Sequence, residues 1–291
     1  MPGSSCVSKD HAPLSRLARW AVSVPPTLYL LVFFLLPALI VVAASFREPG
    51  EFGGLAPFSV LGGTGLHGLT LESYRFFFSD TIYLEIFAHS FLIALLTTLL
   101  CIVMAYPLAW LIARSPKRRR DLLVLLVILP FASNLLIRIY AWILLLGPLN
   151  LLFTPFAVIA GMVYVHLPFM VLPLYVNLET HDPALLEAAR DLGAGAWTRF
   201  WRVTFPLSLP GIFAGSALVF IPVLGMFAIP ELLGGTGDLL IANLIKEQFL
   251  DNRDWPFGAT LSLLLTAAVL AVAVAGLTTL AARRGFKGAL Q

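Results

Sequence analysis

Glu187-Ala188-Ala189-Arg190-Asp191-Leu192-Gly193, followed after nine intervening residues by Val203-Thr204-Phe205-Pro206, forms a short polar passage between two long apolar runs. Its grammar is that of two helices and a tight turn. Asp182 is placed to cap a helix that begins at Pro183, where proline's missing N–H costs nothing. Leu185, Leu186, Ala189 and Leu192 then share one face, and Glu187, Arg190 and Asp191 the other. Gly193 ends the helix by taking a left-handed conformation. A second short helix follows, with Trp197, Phe200 and Trp201 as its apolar stripe and Arg199 and Arg202 opposite. Two short helices at an angle make a compact knob. Ala188, Ala189 and Gly193 keep its surface low enough for the groove of another protein to close on it.

The chain around this passage has 291 residues, 59% of them hydrophobic and 12% charged. Soluble domains carry about 25% charged residues, so this composition excludes an ordinary soluble fold. The charges are segregated, leaving uncharged runs at 20–46, 86–113, 122–137, 139–178, 203–230 and 255–282. A membrane-spanning helix needs roughly 20 apolar residues at 1.5 Å each, so five of these runs suffice alone. The run 122–137 reaches full length by continuing through Arg138. As one helix, 139–178 would be about 60 Å long, twice the hydrocarbon thickness. It must break, and Gly147-Pro148-Leu149-Asn150 is the place. Six spans are therefore expected, at about 27–46, 86–113, 122–146, 152–177, 207–230 and 257–282.

Positive charge sets the orientation. With both termini cytoplasmic, the inner segments hold Lys9, Arg16, Arg19, Arg114, Lys117 to Arg120, Arg190, Arg199, Arg202, Arg283, Arg284 and Lys287. The outer loops hold only Arg47, Arg75, Lys246 and Arg253, alongside ten acids that make this face net negative. Such a face attracts cationic solutes. The two cysteines, Cys6 in the tail and Cys101 in a span, predict no disulfide. The first apolar run is long and preceded by 26 residues, which favours an uncleaved anchor. The outer stretch 71–78 predicts a short interfacial helix, and 239–249 predicts an amphipathic segment lying on or dipping into the outer leaflet.

Other chemistries leave no trace. Gly63-Thr64-Gly65-Leu66-His67-Gly68 fits G-x-G-x-x-G but follows no strand, and G-x-x-x-x-G-K-[ST] occurs nowhere. The five histidines show neither metal-ligand spacing nor a nucleophile to serve, so no metal site and no catalytic residue is expected. Nothing in the sequence points to nucleic acid.

Glu187 to Pro206, in a loop before the penultimate span of a six-span protein, resembles the motor-coupling loop of type I ATP-binding-cassette importer permeases. Within that class the chain is most similar to the spermidine/putrescine permease family. The likeness rests also on Leu129 to Tyr140, Leu167 to Tyr175, Glu231 to Gly235 and Asn243 to Gly258, and covers about 70–290. Met226 resembles the spermidine-type subunit, where putrescine-type relatives often have an acid. The turn at 147–151 is shorter than the usual family connection, and the Gly-rich loop at 47–68 is unusual.

The resemblance implies an all-α, MetI-like permease of the inner membrane, multi-pass, with a tail over 1–24, a first span over 25–47, an outer loop over 48–85 and a core over 86–290. The coupling loop is 178–206, with Glu187, Ala188, Ala189, Asp191, Gly193 and Pro206 as its contact residues. It further implies a dimer of ATP-binding subunits, a second homologous permease, an extracytoplasmic solute-binding protein and membrane lipid as partners. ATP is bound and hydrolysed by those subunits, and this chain needs no cofactor and is no enzyme.

For a polyamine, the expected path contacts are Ser133, Asn134, Tyr140, Trp142 and Tyr164, through oxygens or aromatic faces. Arg138, the one formal charge well inside a span, would repel a polycation and is expected to be structural or gating, paired with an acid or a carbonyl. An importer for ferric ion, phosphonate or an opine would share the same coupling loop. An ion-driven secondary transporter would bury carboxylates or histidine pairs at mid-membrane, where only His89 and His166 are available.

Overall fold

A computed structural model describes residues 24–56, 69–235 and 237–288. The Cys6 tail and the Gly63 to Gly68 motif lie outside these residues. Among the described residues the chain is helical throughout, with two isolated bridges, Arg47 to Leu69 and Pro49 to Leu55, in place of strands.

The first helix, α1 (Val24–Ser45), is followed by α2 (Glu72–Ser79) and α3 (Thr81–Arg114). Next come α4 (Lys117–Ile128), α5 (Leu135–Leu146), α6 (Pro155–Glu179), α7 (Pro183–Asp191) and α8 (Ala196–Leu224). Last are α9 (Ala228–Leu233), α10 (Ile241–Leu250) and α11 (Trp255–Gly288). Helices α1, α3, α6, α8 and α11 are each long and apolar enough to cross a membrane, and α4 with α5 makes a sixth candidate.

The core is where α3, α6 and α8 pack together. Of these, α6 is the most enclosed, with 61% of its most apolar stretch buried against 6% for α1. Close approach of α6 and α8 depends on glycine. A Cβ on Gly215 would lie 2.6 Å from Met170 Sδ, and one on Gly211 would lie 2.7 Å from Asn177 Cβ. Small residues serve this purpose between membrane helices, where dispersion rather than solvent exclusion holds the contact. Helix α1 packs on α11, and α2 seats Phe77, 3% exposed, against α3 and α11.

The structure changes three expectations. The span expected at 122–146 is not one helix. A 3₁₀ turn at Leu129–Ala132 precedes a bend of 93° between Lys117–Ala132 and Leu135–Leu146. Pro130 lies in the turn and Asn134 starts α5 anew, its side chain accepting the Leu136 N–H at 2.8 Å. That side-chain oxygen satisfies one of the N–H groups that the break leaves without a helical carbonyl. The segment expected on or in the outer leaflet at 239–249 is packed partly inside the protein. Ile241, Ala242, Asn243 and Leu244 of α10 are buried against α11 and α3, and the Ile241 N–H donates to Ser90 Oγ at 2.8 Å.

The third change concerns the knob, whose second helix does not stop. Residues Ala196–Leu224 form one helix with a π turn at Phe200–Thr204. Pro206 has no N–H for the carbonyl of Arg202, and the widened turn just before it absorbs that missing bond.

Candidate coupling surface and substrate path

The knob is built as the sequence predicts up to Gly193. Asp182 Oδ1 accepts the Ala184 N–H at 2.9 Å, and α7 runs from Pro183 to Asp191. At its end the Gly193 N–H bonds Arg190 O at 2.9 Å and the Ala194 N–H bonds Ala189 O at 3.1 Å. That pair of bonds is a Schellman closure, and it needs the left-handed residue that Gly193, at φ +79°, supplies. A Cβ built on Gly193 meets no atom within 4 Å.

Glu187, Ala188 and Asp191 are exposed and Ala189 is half-buried, so all four line the surface of α7. Pro206 is also exposed, but it stands on the rod of α8 rather than on the knob. Two residues of the knob's apolar stripes point outward. Leu192 is 88% exposed and Trp197 is 74% exposed, with Leu185 and Trp201 about half exposed. Large apolar side chains exposed together beside charged ones form a patch of the kind found where a partner protein or the membrane boundary covers the surface. The π turn is braced by an aromatic cluster. Phe200 stands edge-on to Tyr106 of α3 at 5.4 Å, and Tyr106 shares a 3.1 Å hydrogen bond with Ser208.

The same end carries the positive charge. Arg114 lies 3.9 Å over the Trp110 ring, and Arg120 pairs with Glu179. Arg114, Arg190 and Arg199 line a cavity of about 470 Å³ between α7 and the ends of α3 and α6.

The expected path residues divide into two groups. Trp142 and Tyr164 meet edge to face at 5.7 Å and, with Arg138, line a cavity of about 310 Å³. Ser133 and Asn134 are occupied at the α4–α5 break, the first donating to Pro130 O at 2.8 Å and the second capping α5. Tyr140 is 57% exposed on α5 and outside that cavity. Arg138 has neither an acid nor a carbonyl beside its guanidinium among the described residues. Its Cζ sits 5.9 Å over the Phe131 ring, and its Nε is buried without a hydrogen-bond partner. The bend before α5 turns this side chain back toward Phe131, a geometry that a straight helix would not give.

At the opposite end of α8, residues of α9 and α10 line a larger, open cleft of about 980 Å³. Lys246 pairs with Glu231 there at 2.5 Å, and that bond holds the Lys246 ammonium above its ordinary pKa. Among the described residues no group of three or more His, Cys, Asp or Glu could hold a metal ion.

Residues 105–286 match the profile of the family described as binding-protein-dependent transport system inner membrane component. The chain belongs to this family. It is 43% identical over 257 residues to the spermidine/putrescine transport system permease protein PotB of Escherichia coli, covering 82% of this chain and 89% of that protein. It is 40% identical over 257 residues to PotB of Haemophilus influenzae, covering 82% and 85%. A further relative is the inner membrane ABC transporter permease protein YdcU of Escherichia coli, 31% identical over 224 residues, covering 67% and 71%. Among solved structures, a chain of a bacterial ABC transporter that imports the acidic polysaccharide alginate superposes with a TM-score of 0.64 at 16% identity. That match covers 89% of this chain and 93% of the other, a likeness of fold.

Proposed function

We propose that this protein is a permease subunit of an ATP-binding-cassette importer for polyamines such as spermidine and putrescine. It works beside a second, homologous permease, with two cytoplasmic ATPase subunits below and a solute-binding protein above. One observation carries the mechanism: the knob that would seat in an ATPase groove is continuous with a membrane span. From Ala196 to Leu224 is 29 residues, about 43 Å of helix at 1.5 Å each. A displacement of the knob is therefore a displacement of the rod, and the far end of the rod carries α9 and α10.

The basic end of the bundle, with Arg114 and Lys117 to Arg120, is then cytoplasmic, and both termini lie on that side. ATP-driven closure of the ATPase dimer pulls on Glu187 to Gly193 and rocks α8 between inward-open and outward-open arrangements. Cationic solutes are drawn to the net-negative outer face. This chain moves the solute and breaks no bond. Arg138 has a structural or gating role at the α4–α5 bend, its guanidinium laid over the Phe131 ring.

The test is reconstitution of the full complex in proteoliposomes. ATP-dependent uptake of labelled spermidine that unlabelled putrescine inhibits is the expected result. A complex that recruits no ATPase, or one that imports neither amine, refutes the reading.

A further inference from the structure

The cavity at the base of the knob carries a charge that the coupling mechanism does not use. It measures about 470 Å³ and lies between α7 and the ends of α3 and α6. Three arginines from three helices line it: Arg114 at the end of α3, Arg190 on α7 and Arg199 near the start of α8. They are far apart in the chain, so the fold, and not one basic run, brings them to a single space.

Among the described residues none of the three is ion-paired. Arg114 is held instead over the Trp110 ring, its Cζ 3.9 Å from the ring centre, a contact that leaves its N–H donors free. Two acids share the wall. Glu179 is already paired with Arg120, which leaves Glu187 as the one carboxylate set against three guanidinium groups. The lining is net positive, and like charges around one space favour an anion between them.

The depth of the cavity in the membrane decides which anion. The uncharged run 86–113 ends at Arg114 and the uncharged run 139–178 ends at Glu179, and both of these first charged residues line the cavity. It therefore sits where the hydrocarbon stops and the lipid phosphates begin. Its wall is mixed as that level requires: Trp110, Leu178 and Leu186 stand beside the arginines, and tryptophan suits the headgroup boundary. Lys117 to Arg120, directly after the same span, add a basic approach along that leaflet. A soluble phosphate would meet the same guanidinium groups but has no use for the apolar wall.

We infer that this cavity is a headgroup site in which Arg114, Arg190 and Arg199 hold the phosphate of an anionic phospholipid of the cytoplasmic leaflet. The guanidinium groups donate charge-assisted N–H bonds to the phosphate oxygens. One phosphate so placed ties α7 and α8 to the end of α3, and so sets how much of the knob's displacement reaches the bundle. The site stands on the geometry and on the orientation proposed above; its effect on coupling rests on the importer reading.

The experiment is equilibrium binding to the intact permease–ATPase complex in detergent, with dioctanoylphosphatidylglycerol, dioctanoylphosphatidylcholine and inorganic phosphate as probes. Wild type should prefer the anionic lipid over the zwitterionic one by at least about tenfold, with a Kd that rises with ionic strength. Arg114→Gln and Arg199→Gln should each raise Kd for the anionic lipid about fivefold, the scale of one basic residue at an anionic surface. If Arg199→Gln fails to assemble, Arg114→Gln alone decides. Replacing Arg118 and Arg119 together by Gln removes charge outside the cavity and should leave Kd within about twofold of wild type. An equal loss in that control overturns the site, because the preference is then diffuse surface charge. Inorganic phosphate binding as tightly as the anionic lipid overturns the lipid assignment, and so does a wild-type complex that does not distinguish the two lipids. In proteoliposomes, spermidine uptake per ATP hydrolysed should rise when phosphatidylglycerol replaces half of the phosphatidylcholine, and Arg114→Gln should flatten that rise. A rise that Arg114→Gln leaves intact refutes the bracing role. A complex that binds the lipid in the expected order but imports no amine keeps the site and removes the importer reading.

Discussion

Replacing Gly193 separates what the residue does for its own helix from what it does for a partner. Its φ of +79° is a conformation that L residues adopt only at a cost of about 1–2 kcal/mol, and Asn bears that cost better than Ala. Within this chain an added side chain touches nothing, since no atom lies within 4 Å of a Cβ placed there. Backbone strain therefore ranks Ala as worse than Asn, and would do so for an isolated subunit. A partner's groove closed over the knob ranks the residues by bulk, so that Ala is mild, Asn intermediate and Trp severe. Overpacking a close interface costs about 1–3 kcal/mol, which at 1.4 kcal/mol per decade is a five- to 150-fold loss of docking. ATPase co-purification and uptake should both follow the order of size, with Gly193→Trp losing no more thermal stability than Gly193→Ala, since both bear the same backbone strain. An Asn variant equal to wild type alongside an impaired Ala variant would show that Gly193 is only a helix cap. Normal uptake by Gly193→Trp would remove the coupling assignment altogether.

Other substitutions probe the scaffold. Asp182→Ala removes the side-chain acceptor of the Ala184 N–H and should cost about 1 kcal/mol at the start of α7, lowering uptake severalfold, while Asp182→Asn stays near wild type in the same assay. Gly215→Leu drives a side chain into Met170 Sδ and should destabilise the α6–α8 contact by about 1–3 kcal/mol, read as earlier loss of the monodisperse peak on heating before size exclusion. Arg138→Met removes a buried donor that has no acceptor here. It should leave the isolated chain as stable as wild type or about 1 kcal/mol more so in a thermal melt; clear destabilisation would show that stacking on Phe131 outweighs the unmet donor. Tyr106→Phe breaks the bond to Ser208 and should cost about 1 kcal/mol, seen as lower uptake per ATP hydrolysed rather than as loss of ATPase binding.

The parts of this molecule that could be read without coordinates are those fixed by local chemistry. The segregation of charge gave the spans because a membrane tolerates almost no ionic groups in its interior. The knob's first helix was legible to the residue, since Asp182, Pro183 and Gly193 each satisfy a particular backbone requirement at a helix end. What escaped the sequence was set by neighbours. The apolar run around Arg138 is equally consistent with one helix or two, and Pro130 alone does not dictate a 93° turn, because prolines at 168, 173, 210 and 222 sit inside helices that carry on. Leu192 and Trp197 share helical stripes with residues that are less exposed, and spacing alone does not say which of them a knob too small to have an interior leaves outside. The continuity of α8 was hidden for the opposite reason: Arg199 and Arg202 look like the end of a soluble segment, yet Trp197, Phe200, Trp201 and Phe205 stack across the junction and carry the helix through it. Here a boundary in charge is not a boundary in structure. In a protein that transmits force from water into a membrane, these two boundaries have to differ, since a lever must pass unbroken through the surface at which the solvent changes.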